Sequence, residues 1–312
     1  MGGSGGGFLY GYKPDEIKPM VEEAAIRTRN EEFEVEVSER LNELLVAYND
    51  RDVETTHRYL DQVKELLQED IEGTVEVRFG GSITKHTYVD GLSDVDCLVH
   101  LKDRDLQSMS PSEVLQYFKE KIEQRLGRLV DVSVGNLAVT VKYPDGTEIQ
   151  LLPAVHGETG LVIPSSRGDQ WSNIIRPEIF AERLTEVNQS CNNKVVPTIK
   201  LVKAILNNIL SPEHNLTGYH VESLALEIFK TYTGKMTAKA MTEHFFNRAK
   251  DLVTHNIRDR TGQSIHVDDY LGNENSGLRQ AVSDDLDKIS REFTNANTRT
   301  EASTWLAAIG ES

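Results

Sequence analysis

Two short stretches, FGGSI at residues 79–83 and DVDCLV at residues 94–99, decide how this chain is expected to fold. Side chains alternate between the two faces of a strand, so Asp94 and Asp96 share one face if the second stretch is extended. Such a pair of carboxylates can hold divalent metal ions, which neutralise a triphosphate and activate an attacking hydroxyl. The Gly-Ser turn in the first stretch offers backbone amides and a hydroxyl to phosphate oxygens. Together the stretches predict a site for metal ions and a nucleoside triphosphate.

The flanking residues predict that both stretches belong to one sheet. Residues 74–79 alternate apolar and polar side chains, which is typical of a half-buried strand leading into the turn. Residues 97–101 form a short apolar run, which is typical of a central strand. Cys97 follows Asp96 directly, so we expect it on the opposite, buried face. Strand, phosphate turn, loop and acidic strand are thus in the order that a nucleotide-transferring palm needs.

Length and composition place the chain among cytoplasmic globular proteins. Its 312 residues suffice for two modest domains. No apolar run approaches the ~20 residues that cross a bilayer, so we expect no membrane association. Cys97 and Cys191 are the two cysteines, which give neither a disulfide framework nor a zinc pattern. The Gly-rich residues 1–7 are interpreted as a linker or tag remnant and are left out of the fold prediction.

The charge balance argues against long nucleic acid as a partner. The chain carries 50 acidic and 34 basic residues, which gives a formal net charge of −16. A protein that grips a duplex needs concentrated Lys and Arg to displace phosphate counterions. The sequence has no long basic run.

Periodicity and turn signals predict the remaining elements. Residues 33–70 have helical stripes at 41–48 and 60–67, with a kink or break at residues 49–52. A capping sequence at residues 110–113 opens a further helix, and a Pro-Asp-Gly turn at residues 144–146 joins two strands. Further helices are predicted near residues 177–187, 195–210, 221–232, 237–255 and 278–292.

With these motifs the chain resembles the polymerase-beta nucleotidyltransferase superfamily. Within it, the later motifs resemble those of the bacterial cyclic-oligonucleotide synthases related to cGAS, the CD-NTases. These motifs are LPA at 152–154, IP at 163–164, WSN at 171–173 with Pro177, PTIKLVK at 197–203, GYHVE at 218–222, and Trp305. Their order covers nearly the whole chain from about residue 75 to 309.

The resemblance implies an α+β, bilobal fold with a central nucleotide cleft. A polymerase-beta-like palm of mixed sheet and helices would occupy residues 8–165, together with an N-terminal helix that braces both lobes. A helical lobe would occupy residues 166–312. The implied reaction is in-line attack of a ribose hydroxyl on an α-phosphorus, repeated until a cyclic di- or trinucleotide closes. Such products act as second messengers, usually in antiphage signalling through a separate effector protein.

The resemblance also implies a role for individual residues. Asp94 and Asp96 would be catalytic and would bind Mg²⁺, or Mn²⁺ in its place. The nucleotide would be bound by a set of residues from both lobes, namely Gly81, Ser82, Lys200, Lys203 and Tyr219. In this set the lysines would contact the triphosphate and the tyrosine would stack on a base. Gly218 departs from the serine that is common in the family, and Thr217 is a candidate to replace its phosphate contact.

Gln150 stands where the family usually carries a third catalytic acid. A glutamine offers one carbonyl oxygen to a metal but brings no charge and is a poor base. Glu148 lies on the same strand face, about 7 Å further along. Three interpretations stay open for Gln150: a natural two-acid variant, an engineered inactivating change, or a catalytically weak relative.

Two other functions are compatible with these residues. One is a template-free polymerase or end-adding transferase, against which the acidic balance argues when the substrate is tRNA. The other is a non-catalytic nucleotide-binding sensor, which Gln150 favours.

Overall fold

A computed structural model describes residues 14–49, 53–70, 76–79, 95–101, 104–156, 160–165, 169–172, 174–175, 177–260 and 266–311. The strands are β1 (Glu76–Phe79), β2 (Val95–Leu101), β3 (Asp131–Val134), β4 (Val139–Lys142), β5 (Glu148–His156) and β6 (Leu161–Val162). The first helices are α1 (Pro14–Asn49), α2 (Val53–Asp70), α3 (Arg104–Ser108) and α4 (Pro111–Leu126). The later helices are α5 (Pro177–Ser190), α6 (Val195–Ile209), α7 (Gly218–Phe229), α8 (Ala238–Leu252), α9 (Gly277–Arg299) and α10 (Ala302–Ala307).

The strands form one mixed sheet in the order β1-β2-β5-β4-β3, and β6 pairs with the end of β5. β2 and β5 are parallel neighbours, whereas the other pairs are antiparallel. β4 and β5 are joined by the predicted turn, in which Gly146 has a φ of 90° that favours glycine. The mixed sheet confirms the predicted α+β class.

One face of this sheet is covered by α2 and α4, and we call the buried cluster between them the sheet core. Cys97, Val99, Ile149 and Leu151 are completely buried there, as alternation along the strands predicted. Helix α4 begins with a capping box, in which Ser110 Oγ accepts from the amide of Glu113 and the Glu113 carboxylate accepts from the amide of Ser110. The sequence pattern therefore fixes both the face and the start of this layer.

Helices α5 to α10 build a second cluster, the helical core, to which α1 also contributes. Phe33, Val37, Leu41 and Leu45 form the buried stripe of α1, at a spacing of one helical turn. Between α1 and α8 lies the buried ammonium of Lys239, which is 3.2 Å from a Glu34 carboxylate oxygen. Thus α1 is tied to the helical core by apolar and ionic contacts, while α2 packs in the sheet core.

The predicted elements are present with some differences in extent, whereas α3, β6 and α10 were not predicted. The N-terminal helix begins at Pro14, well before the predicted residue 33, and residues 18–32 are exposed. α1 ends at Asn49 and α2 begins at Val53, on either side of the predicted break. Among the described helices none is long and apolar enough to cross a membrane. The boundary between lobes at residues 165 and 166 stays a prediction.

Candidate functional site

Strands β2 and β5 bring the acidic stretch next to Gln150, which the resemblance assigned to the third-acid position. Their parallel register places Asp96 opposite Gln150, and Thr140 of β4 is the neighbour of Gln150 on its other side. Gln150 is half-buried, on the sheet face opposite Leu151. Gln150, a neutral residue, therefore adjoins the acidic strand, and its assignment to the third-acid position stays a prediction.

Glu148 lies at the start of β5, and a basic neighbour already engages its carboxylate. The Lys142 ammonium on β4 donates to Glu148 Oε1 at 2.5 Å. This contact directs the carboxylate toward β4, which is the far side of β5 from the acidic strand.

Several predicted residues lie outside the described part of the chain. These are Gly81 and Ser82 of the phosphate turn and Asp94 of the acidic pair, and for Asp96 only the backbone is described. Within the described residues no three His, Cys, Asp or Glu side chains are grouped so that they could hold a metal. The metal and phosphate roles of these residues stay predictions.

Lys203, the predicted triphosphate clamp, is buried in the helical core. Its ammonium donates to Glu222 Oε1 at 2.9 Å, and the two side chains are only 8% and 2% exposed. A Cβ at Gly218 would lie 3.4 Å from the lysine Nζ, so the ammonium rests against the first turn of α7. Lys200 lies one turn earlier on α6 and is partly exposed. Glu222 thus holds the lysine ammonium beside the N-terminal end of α7. This end of a helix favours anions, which suits the Glu222 carboxylate.

Tyr219, the predicted base-stacking residue, is held on two sides. Its hydroxyl donates to Asp259 Oδ1 at 2.8 Å. Its ring meets Phe180 of α5 edge-on, with ring centroids 4.9 Å apart at an interplanar angle of 61°. The side chain is half-buried, on the same first turn of α7 that Lys203 contacts.

The start of α7 is further fixed by a polar network around a buried histidine. Thr217 is the N-cap, whose hydroxyl accepts from the amide of His220. The Tyr270 hydroxyl accepts from the amide of Thr217 and forms a second hydrogen bond with His220 Nδ1, which lies 2.9 Å away. His220 is completely buried, which lowers its pKa to about 4 and keeps the ring neutral. His220 is therefore a buried, neutral neighbour of the helix start, and the Thr217 hydroxyl serves as a cap.

The loop at residues 253–272, which supplies Asp259 and Tyr270, is organised by a buried arginine. Arg279 donates to Asp268 Oδ2 at 2.7 Å and to the carbonyl oxygens of Val253 and His255. The Asp268 carboxylate in turn accepts from the amide of Ile257. This charged pair is completely buried, so it fixes the described parts of the loop against α9.

Two of the quoted motifs have structural contacts. Trp171 Nε1 donates to the carbonyl of Met109, and the Ser172 hydroxyl accepts from the amide of Ile163. Trp305 is fully buried, stacks on Phe293 and donates to Glu243. The first motif thus joins residues 171–172 to Met109 and Ile163, and Trp305 joins α10 to α8 and α9.

Sequence reasoning assigned no role to Glu222 or Asp259, although both contact predicted site residues. Glu222 carried a signal, because an acid within an otherwise apolar stretch of a buried helix implies a buried cationic partner. Asp259 carried none, since its partner depends on the path of a loop.

Comparisons with known proteins agree with this arrangement. Residues 60–147 match the family model described as Nucleotidyltransferase domain. A comparison with curated protein sequences gives no match. Among solved structures, CdnC of E. coli MS115-1 with ATP covers 88% of this chain and 95% of its own at 12% identity and a TM-score of 0.66.

Two further structures show the same likeness. The CD-NTase CdnG of Bradyrhizobium diazoefficiens with GTP covers 81% of this chain and 88% of its own, at 12% identity and a TM-score of 0.62. The Vibrio cholerae cyclic AMP-GMP synthase DncV, a prokaryotic cGAS homolog, covers 96% and 91%, at 11% identity and a TM-score of 0.61. The residues that match the nucleotidyltransferase family model include the acidic strand β2. The chain as a whole has the fold of the CD-NTases, which confirms the resemblance at the level of fold.

Proposed function

We propose that this protein is a metal-dependent nucleotidyltransferase that makes a cyclic di- or trinucleotide from nucleoside triphosphates. The observation that carries this proposal is the parallel register of β2 and β5 within a CD-NTase fold. It pairs the backbone of Asp96 with that of Gln150, the residue that we assign to the family's third-acid position.

The proposed roles follow from the sequence motifs and, for Lys203, Tyr219 and Lys200, also from where the residues lie. Gly81 and Ser82 would hold phosphate oxygens, while Lys203, fixed by Glu222, would bring a positive charge to the triphosphate. Tyr219 would stack on a base, and Lys200 would add charge from the preceding turn. A buried cation and a half-buried aromatic ring thus meet at the first turn of α7, and both are groups suited to binding a nucleotide.

The oxygen donors fit a hard divalent cation such as Mg²⁺ or Mn²⁺. Asp94 and Asp96 would hold it, with the Gln150 amide oxygen as a neutral neighbour. When bound, such an ion neutralises the triphosphate and makes the attacking hydroxyl more acidic. A glutamine at position 150 leaves the charge of the site one unit less negative than a third acid would.

The finer parts of the proposal rest on the likeness of fold and motifs. The cyclic product would act as a cytoplasmic second messenger in antiphage (CBASS) signalling and would be read by a separate effector protein. Of the structural relatives, CdnC is also known in a complex with a HORMA protein. For this chain we propose nucleoside triphosphates as substrates and no long nucleic acid.

A product assay tests the function directly. The protein is incubated with all four nucleoside triphosphates and Mg²⁺ or Mn²⁺, and phosphatase-resistant products are resolved by mass. Rings are expected, and Asp96→Asn should lower their formation at least ~10³-fold. Asp131→Asn, an exposed acid on the edge strand of the same sheet, is the matched control and should keep full activity. Linear chains as the sole products would refute ring closure.

The neutral Gln150 supports a second candidate, a sensor that binds nucleotides without turnover. A sensor would bind nucleoside triphosphates but yield no product with either metal. Gln150→Asp then separates a sensor from an inactivated enzyme, because only the latter regains product formation.

A further inference from the structure

We propose that Asp259 is a positioning residue for nucleotide binding, which holds the Tyr219 ring in the orientation that stacks on a nucleobase. This inference rests on the proposed function. It adds a residue to the base-binding side of the site that neither the motifs nor the fold comparison assigns.

The first support is the geometry around Tyr219. A tyrosine ring has only two side-chain torsions, and two contacts restrain them here. The hydroxyl bond to Asp259 Oδ1 at 2.8 Å fixes the tip of the ring, and the edge contact with Phe180 fixes its tilt. The ring is therefore oriented before any base arrives, which lowers the entropy cost of stacking.

The second support is the rigidity of the acceptor. Asp259 is only 6% exposed, and it lies in the loop that Arg279 fixes through Asp268. Ile257, two residues before Asp259, donates its amide to the Asp268 carboxylate. The same loop supplies Tyr270, which accepts from the amide of Thr217 at the start of α7. One loop thus contacts both the backbone at the start of α7, through the Thr217 amide, and the Tyr219 ring, through its hydroxyl.

The third support is the chemistry of the pair. A buried carboxylate costs free energy unless it is well paired, whereas two apolar groups of the same shape can fill such a space at no loss of stability. A hydrogen bond to a carboxylate is stronger than one to a neutral acceptor. A phenol on a buried carboxylate is therefore suited to fixing an orientation rather than to filling the core.

The test compares two ligands, ATP and inorganic tripolyphosphate, by titration calorimetry. Tyr219→Phe and Asp259→Ala should each weaken ATP binding about 5- to 10-fold, and the double variant should be much less weakened than the product of the two because both remove the hydrogen bond between them. Tripolyphosphate binding should stay within about 2-fold of wild type, since it has no base to stack. Asp259→Asn keeps an acceptor oxygen and should restore ATP binding.

A matched control removes a hydroxyl elsewhere in the helical core. Tyr232 donates to the carbonyl of Lys235 at 2.7 Å, so Tyr232→Phe loses a similar bond and should bind ATP normally. The role of Asp259 would be overturned if the variants lost affinity for ATP and for tripolyphosphate equally. Full ATP affinity in Tyr219→Phe would overturn it as well. If Asp259→Ala does not fold, Tyr219→Phe, which lacks one oxygen atom, decides the outcome. A wild-type protein that binds neither ligand would instead refute the proposed function itself.

Discussion

Replacing Lys203 separates its part in folding from its part in nucleotide binding. The ammonium and the Glu222 carboxylate are 2.9 Å apart, with side chains only 8% and 2% exposed. Lys203→Met keeps the aliphatic stem but leaves a buried carboxylate without its cation, which should lower the free energy of unfolding by about 3–5 kcal/mol. Adding Glu222→Gln removes the stranded charge, so the double variant should recover to within about 1–2 kcal/mol of wild type.

Urea unfolding followed by circular dichroism measures these stabilities. The control is Lys250→Met, whose partner Asp287 and own side chain are 33% and 25% exposed. For such a pair the loss should be no more than about 1 kcal/mol. A Lys203→Met loss as small as this control would refute the assignment of Lys203 and Glu222 as a coupled buried pair.

The double variant then tests the triphosphate clamp in a folded protein. If Lys203 contacts phosphate, the variant should bind all four nucleoside triphosphates about 1.5–3 kcal/mol more weakly, because phosphates carry no base identity. Wild-type affinity in this variant would show that Lys203 serves the fold alone.

Three further changes test separate parts of the molecule. Burial lowers the pKa of His220 to about 4, below the ~6.5 of an unfolded chain, so the unfolded state takes up the proton first as pH falls. The free energy of unfolding should therefore be steady above pH 7 and about 2 kcal/mol lower at pH 5. His220→Gln should remove this loss of stability at low pH, and the same pH dependence in the variant and the wild type would contradict the assignment to His220. Ser110→Ala removes one half of the α4 capping box and should cost about 1 kcal/mol in thermal or urea unfolding, whereas no loss would mean that Asp169, which accepts from Ser112 in the same turn, caps the helix sufficiently. Gln150→Asp should tighten Mg²⁺ binding in calorimetry by adding a charge, and an unchanged affinity would show that position 150 does not face the metal.

Most of the predicted helices and strands could be read from patterns among residues close together in sequence. The capping box at Ser110, the turn ending at Gly146 and the stripe of Leu60, Val63 and Leu67 each depend on residues close together in sequence. The first half of α1 was missed because it has charged and small residues without an apolar stripe, so periodicity gave no signal there. Helix formation in that stretch depends on intrinsic propensity, which is a weaker guide.

For the candidate site, the sequence could predict the residues whose position depends on strand geometry. The spacing of Asp96 and the position of Gln150 relative to Pro153 placed both on strands, and the parallel pairing then makes them neighbours. The partners of Lys203 and Tyr219 are 19 and 40 residues away in sequence, in a second helix and a loop. Such contacts depend on how helices pack, which the chain does not encode in any short pattern.

Helices α1 and α2 pack in different cores, α1 in the helical core and α2 in the sheet core, and this affects the order in which the chain folds during synthesis. The sheet core joins residues that lie between 60 and 155, so it can form once that part of the chain is made. By contrast, α1 reaches its partners only across long separations, such as 203 residues from Glu34 to Thr237. At ribosomal speed its apolar stripe stays uncovered on the order of ten seconds after the sheet core is complete. We expect amides of β2 and β5 to gain protection before those of α1 in pulsed hydrogen exchange, which makes α1 the segment that most needs shielding from aggregation as the protein emerges.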